Sequence, residues 1–129
     1  MDLRSLAILA GLSLMTVGAS HAQGTGDAAA GEKVFNRCAG CHAVAEGGGK
    51  KAGPVLFGVV GRPIGSHPDF QYSAALTKAK DDGLTWTPEN LSKWLTSPKD
   101  FLPGNRMGFP GLKDQADIDN VIVYLSTLK

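Results

Sequence analysis

The stretch Cys38-Ala39-Gly40-Cys41-His42 contains both cysteines of the chain, with a histidine directly after the second. Such a pair can form a disulfide, act as a redox dithiol, supply part of a zinc site, or attach a haem. Each alternative makes different demands on the surrounding chain. The sequence on either side of this stretch therefore decides which alternative applies. That choice in turn determines the expected fold.

The N-terminus has the pattern of an export signal. Arg4 precedes a mostly apolar run over residues 6–17, and small residues stand at positions minus three and minus one of a cleavage site after Ala22. We therefore predict a cleaved secretory signal peptide over residues 1–22 and one domain over residues 23–129. The run is shorter than the roughly 20 apolar residues of a membrane-spanning helix, so we expect no stable membrane insertion after cleavage.

Spacing separates the four alternatives for the cysteine pair. Export favours a disulfide, but a bridge across two residues closes a very small loop and constrains the unfolded chain little. Zinc needs four ligands, usually in spaced pairs, and a thioredoxin-like dithiol should follow a strand. Neither pattern is present around Cys38. The C-x-x-C-H spacing matches haem attachment, in which Cys38 and Cys41 form thioethers and His42 binds the iron.

A haem iron bound by one histidine has either an open site or a second protein ligand. Residues 23–129 contain one methionine, Met107, in a Gly- and Pro-rich stretch that predicts a loop over residues 103–110. A methionine in such a loop is poorly placed to fill a gap in a core. We therefore predict Met107 as the second axial ligand and expect His67 to be a surface residue.

The remaining sequence predicts an all-α fold of four or so short helices and long loops. The first helix should begin at Asp27, a second should lie near residues 73–79, a third should start at Thr87, and the last near Asp114. Pro98 should end the third helix. The chain has too few core residues to order so many loops unaided, and a large covalently attached apolar ring would complete its core.

Composition excludes one class of partner. The formal net charge is +1, aromatic residues make up 7% of the chain, and no basic tract is present. Bulk electrostatic attraction therefore gives no reason to expect nucleic-acid binding.

Taken together, several segments resemble a class I c-type cytochrome, of the cytochrome c2 and mitochondrial cytochrome c kind. They are GDAAAGEKVFNRCAGCH (26–42), GPVLFGVVGR (53–62), LTW (84–86), SPKDFLPGNRMGFPGL (97–112) and VIVYL (121–125). The resemblance implies a small cytochrome c fold around one covalent haem c. It also implies an electron carrier rather than an enzyme.

The resemblance also implies roles for individual residues. Pro54 would accept a hydrogen bond from the ring of His42, and Gly31 would let the first and last helices cross closely. Asn105 stands where a threonine is usual, and keeps a polar group for a haem propionate. The resemblance further implies hydrogen bonds to the buried propionate from Arg62, Tyr72 and Trp86. It places the indole N–H of Trp94 where a donor to the methionine sulfur is common, and the ring of Phe109 over the haem.

The implied partners are larger redox proteins, a donor and an acceptor, that dock at the haem edge. The cations implied there are Arg37, Lys51, Lys99, Arg106 and Lys113, whereas Asp81, Asp82, Asp117 and Asp119 are expected elsewhere.

The stretch between Tyr72 and Trp86 is longer than in the mitochondrial form, which points to bacterial relatives. With the signal pattern, this predicts a soluble monomer of the bacterial periplasm.

Two other functions remain open from the sequence. If Met107 does not bind the iron, the open site could take small ligands or support weak peroxidase chemistry. A haem-free thiol oxidoreductase would need Cys38 and Cys41 as free thiols.

Overall fold

The computed structural model describes residues 26–129, and the predicted signal peptide lies outside them. Within this range the chain forms five helices: α1 (Ala28–Phe35), α2 (Ala74–Asp81), α3 (Pro88–Thr96), α4 (Pro98–Phe101) and α5 (Gln115–Ser126). Strand-like pairing in the same range is confined to one bridge, between Pro63 and Thr85. The all-α prediction is confirmed. No helix of the described range has the length and apolar character to span a membrane.

Side-chain caps fix where the helices begin. Oxygens of Asp27, Ser73, Thr87 and Asp114 accept hydrogen bonds from the backbone N–H groups of the first turns, over 2.8–3.3 Å. Each cap satisfies a donor that has no partner inside the helix. The starts predicted at Asp27, Thr87 and Asp114 are therefore confirmed.

Helix α4 is the element that the sequence analysis did not predict. Helix α3 ends at Thr96, as expected from the proline that follows, but Pro98 then opens α4 instead of a loop. Proline is well suited to a first helical position, because its missing N–H would have no partner there. The hydroxyl of Ser97 caps the new helix by accepting from the N–H of Asp100 over 3.4 Å.

Helices α1 and α5 cross at Gly31. A Cβ added to Gly31 would collide with the backbone carbonyl of Asn120 and lie 2.8 Å from the Cβ of Tyr124. Close to this point the rings of Phe35 and Tyr124 pack with their centroids 5.5 Å apart. The predicted close crossing is confirmed, and it holds the two ends of the domain together.

Backbone hydrogen bonds between segments order the long loops. Gly61 donates to the carbonyl of Trp86, and Trp86 donates to the carbonyl of Arg62, each over 2.8 Å. Ile64, which is fully buried, donates to Leu84 over 2.9 Å. These bonds place Arg62 beside Trp86 at the wall of the cavity described next.

Candidate haem site

A cavity of about 620 Å³ lies in the middle of the fold. Its walls are mostly apolar and come from α1, α2, α3, α5 and the loops between them. They include Phe35, Leu76, Leu91, Leu95 and Leu125. Every haem-contact residue predicted above lines it, namely Cys38, Cys41, His42, Pro54, Arg62, Tyr72, Trp86, Trp94, Asn105, Met107 and Phe109. The fold thus brings together residues that are up to 71 positions apart in the sequence.

The attachment stretch continues α1 as a series of turns. Cys38 donates to the carbonyl of Phe35 over 2.7 Å, and Cys41 and His42 both donate to the carbonyl of Cys38 over 3.0–3.1 Å. No disulfide joins Cys38 to Cys41. Burial raises the pKa of Cys38, although the charge of Arg37 acts in the opposite direction. The turns present both sulfur atoms and the imidazole to the same cavity.

His42 is oriented from two sides. Its Nδ1–H donates to the carbonyl of Pro54 over 2.7 Å, which leaves Nε2 as the nitrogen with a free lone pair. A Cβ added to Gly53 would lie 2.8 Å from the same Nδ1, so only glycine fits beneath the ring. Burial lowers the pKa of His42, against the effect of the Pro54 hydrogen bond, and so favours the neutral imidazole. Neutral imidazole is the form that binds metals.

Met107 lies in a loop without regular secondary structure, as predicted from its Gly- and Pro-rich surroundings. Its backbone N–H donates to Oδ1 of Asn105 over 2.9 Å, and its carbonyl accepts from Phe109 over 2.8 Å. On the neighbouring residue, the guanidinium of Arg106 donates to the carbonyl of Gln71 over 2.9 Å. These bonds hold the thioether in the same cavity as His42.

Arg62 carries an unpartnered donor at the cavity wall. Its two terminal nitrogens donate to the carbonyls of Val55 and Phe57 over 3.1 and 3.3 Å. Its Nε, however, is buried without a hydrogen-bond partner among the described residues. Burial lowers the pKa of Arg62 and raises that of Tyr72, whose hydroxyl accepts from the N–H of His67 over 3.2 Å. A carboxylate bound here would satisfy the unpaired N–H.

Two tryptophans form the wall next to Arg62. The ring centroids of Trp86 and Trp94 lie 5.4 Å apart, at an interplanar angle of 58°. Both residues are buried. A large apolar cavity with a buried cationic donor on one wall suits a flat apolar ring that carries carboxylates, so the residues present fit haem c.

The five predicted docking cations differ in their contacts. Arg37 lies 3.8 Å from Asp117, so the expectation that Asp117 lies away from them is wrong. Lys51 donates to the carbonyl of Ala39 over 2.8 Å, which fixes it beside the attachment stretch. Lys99 and Lys113 are exposed. The cavity lining includes Arg37 and Arg106 but not the three lysines.

His67 lies away from the candidate iron site. It is not part of the cavity lining, and its Nδ1 accepts a hydrogen bond from the N–H of Asp69 over 3.2 Å. The zinc alternative also lacks support, because residues 26–129 contain no group of three or more His, Cys, Asp or Glu side chains placed to hold a metal ion.

Sequence reasoning missed two features of the site. The first is the contact between Gly53 and His42, which no local sequence pattern indicates. The second is the hydrogen bonding of Asn105. Its amide donates to the carbonyls of Pro98 and Leu102, so the predicted propionate contact would need one of these amide hydrogens.

An all-α fold closed around this cavity, with two thiols and an imidazole on one turn, defines a c-type haem protein. The sequence model of the cytochrome c family matches residues 28–129, and the chain belongs to that family. The cytochrome c2 of Agrobacterium tumefaciens (strain II Chrys) is 47% identical over 100 residues, which cover 78% of this chain and 90% of that protein. For the cytochrome c2 of Rhodospirillum rubrum the identity is 44% over 112 residues, with 81% and 82% covered.

A solved structure agrees with these relatives. Cytochrome cH from Methylobacterium extorquens superposes with a TM-score of 0.72 at 44% identity, covering 79% of this chain and 99% of that one. The protein is thus a class I c-type cytochrome similar to cytochromes c2. It is an electron-transfer protein rather than an enzyme, with one haem c attached through Cys38 and Cys41.

Proposed function

We propose that this cytochrome is a soluble one-electron carrier of the bacterial periplasm, in which His42 and Met107 are the axial ligands of the iron. The observation that carries the proposal is the placement of Met107. It is the only methionine of residues 23–129, and a hydrogen-bonded loop holds it in the cavity that His42 lines. The export pattern of residues 1–22 supports the compartment.

Haem c supplies a one-electron change between ferric and ferrous iron at this site. The residues of the chain set the conditions for that change. Pro54 orients the imidazole of His42 and makes its free nitrogen more basic. When bound to the iron, the thioether of Met107 would favour the ferrous state, and the apolar walls would keep water away from both ligands. Arg62 offers its buried N–H to a haem carboxylate.

If His42 and Met107 both bind the iron, no position at the metal would remain for a substrate. Electrons would then enter and leave at the exposed haem edge near the thioethers. Cys41 is exposed and Cys38 is half-buried, which is consistent with an edge that opens to solvent on this side. Larger redox proteins would dock there as donor and acceptor, and the cytochrome would work as a monomer.

Replacing Met107 by leucine tests the axial assignment. We expect Met107→Leu to keep its covalent haem, to lose the far-red absorption band of iron–sulfur bonding, and to have a lower reduction potential. The mass of the purified protein reports both the attached haem and cleavage after Ala22. His67→Gln is the matched control and should keep the band, since His67 lies outside the cavity.

The outcome that contradicts the proposal is equally direct. If the far-red band persists in Met107→Leu, Met107 is not a ligand of the iron. If the wild-type protein carries haem but lacks the band, the iron has an open site, and small-ligand binding or peroxidase chemistry becomes the favoured function.

A further inference from the structure

The side chain of Asn105 uses all the hydrogen-bonding groups of its amide on backbone atoms of one short region. Its Nδ2 donates to the carbonyls of Pro98 and Leu102 over 3.0 and 2.9 Å. Its Oδ1 accepts from the N–H of Met107 over 2.9 Å. An asparagine amide has two N–H donors, so both are committed.

These bonds connect the Met107 segment to α4. Leu102 is the C-terminal cap of α4, and Pro98 is its buried first residue. Each of these carbonyls also accepts a backbone hydrogen bond, Pro98 from the N–H of Leu102 over 3.0 Å and Leu102 from the N–H of Asn105 over 3.1 Å. The amide of Asn105 adds a second donor to both, and so ties its own side chain to the two ends of α4. The same amide then fixes the backbone of Met107, two residues further along the chain.

We propose that Asn105 is a positioning residue for Met107. Its amide holds the backbone of the methionine segment against α4, and so sets how readily the sulfur leaves the iron. This inference rests on the proposed ligation by Met107. It gives Asn105 a different role from the propionate contact that the family resemblance implies.

The three bonds use both N–H donors and the oxygen of the Asn105 amide. A leucine has the same size and branching as asparagine but can make none of the three bonds. A threonine hydroxyl has one donor and could replace only part of the set. The inference therefore predicts a graded series, in which Asn105→Leu has the larger effect and Asn105→Thr an intermediate one.

The test measures how easily an added ligand displaces the sulfur. Imidazole is titrated into the ferric, haem-loaded protein, and the loss of the far-red band is followed. The apparent affinity rises with the fraction of protein in which the sulfur has left the iron. For Asn105→Leu we expect imidazole to bind about tenfold more tightly, the factor to which roughly 1.4 kcal/mol corresponds, because several ordinary hydrogen bonds are lost together.

Asn90→Leu is the matched control. The amide of Asn90 also donates to a backbone carbonyl, that of Thr85, over 2.8 Å, and the contact is also partly buried. Asn90 does not line the cavity. Its variant should lower the stability against denaturant while imidazole affinity stays within about twofold of the wild type.

Three outcomes are decisive. An imidazole affinity of Asn105→Leu within about twofold of the wild type overturns the inference and leaves ligation by Met107 intact. If the leucine variant does not fold, Asn105→Thr decides, and an unchanged affinity there overturns the inference in the same way. A wild-type protein without the far-red band overturns the proposed ligation itself, and the positioning role with it.

Discussion

At the scale of single residues, the two neighbours Gly53 and Pro54 together fix the imidazole of His42. The proline carbonyl accepts the Nδ1–H, and the glycine leaves the space in which the ring lies. The φ angle of Gly53 is not positive, so the need for glycine there is steric rather than conformational. The carbonyl contact was predicted from the family resemblance and is confirmed.

Gly53→Ala should therefore disturb the ring directly. The added methyl group would overlap His42, and relieving that overlap should cost about 1–3 kcal/mol of unfolding free energy. Guanidinium unfolding of the haem-loaded protein measures this loss. Gly49→Ala is the control, because a Cβ there meets nothing within 4 Å. Equal stabilities of the two variants would show that the ring has room to move.

The contacts of Gly53 and Asn105 could not be predicted from the sequence. Both depend on which backbone atoms approach from other segments, and no periodicity or spacing encodes that. The ligand candidates His42 and Met107 could be predicted, because the C-x-x-C-H motif and the single methionine of residues 23–129 can be read directly from the sequence.

At the scale of elements, the crossing of α1 and α5 depends on one missing side chain. Gly31→Ala would press a methyl group into the backbone of Asn120 and against Tyr124, and backbone of a packed helix cannot rotate away as a side chain can. We expect the variant to lose at least about 2 kcal/mol of unfolding free energy. Thermal unfolding of the haem-loaded protein measures the effect.

The neighbouring residue on the same helix provides the control. Glu32 is exposed, and Glu32→Ala should change the unfolding free energy by no more than about 0.5 kcal/mol. If both variants unfold at the same temperature, the helices can separate at the crossing without loss, and close packing there contributes nothing to stability.

The helix starts were predictable because each carries a local signal. Asp27, Thr87 and Asp114 are capping residues followed by apolar residues at helical spacing. Helix α4 was not predictable, because four residues carry no period and its first residue, Pro98, ends the preceding helix equally well.

At the scale of the whole molecule, the formal net charge is +1, but the lysines differ in whether they form ion pairs. Lys99 and Lys113 are exposed and form no ion pair with other described residues, whereas Lys78 pairs with Asp82 at 2.6 Å. We therefore expect Lys99 and Lys113 to attract an anionic redox partner more strongly than the lysines of α2 do.

The double variant Lys99→Gln/Lys113→Gln tests this on a defined surface. At low salt, electron transfer to an electrode coated with a carboxylate-terminated monolayer should slow several-fold, and added salt should remove the difference from the wild type. Lys78→Gln/Lys80→Gln removes the same charge from α2 and should have a smaller effect. Equal effects of the two double variants would mean that net charge, not a docking face, controls the approach.

The cavity also links the amount of this protein to the supply of its cofactor. Without haem, the apolar walls of this cavity of about 620 Å³ would lose the packing contacts that a bound ring provides, and unfilled apolar space of this kind destabilises a fold. Its walls include residues of α1, α3 and α5, so a chain without haem loses its support from end to end. Such chains are substrates for proteases. A cell short of haem would thus hold less of this cytochrome, rather than a store of folded protein awaiting its haem.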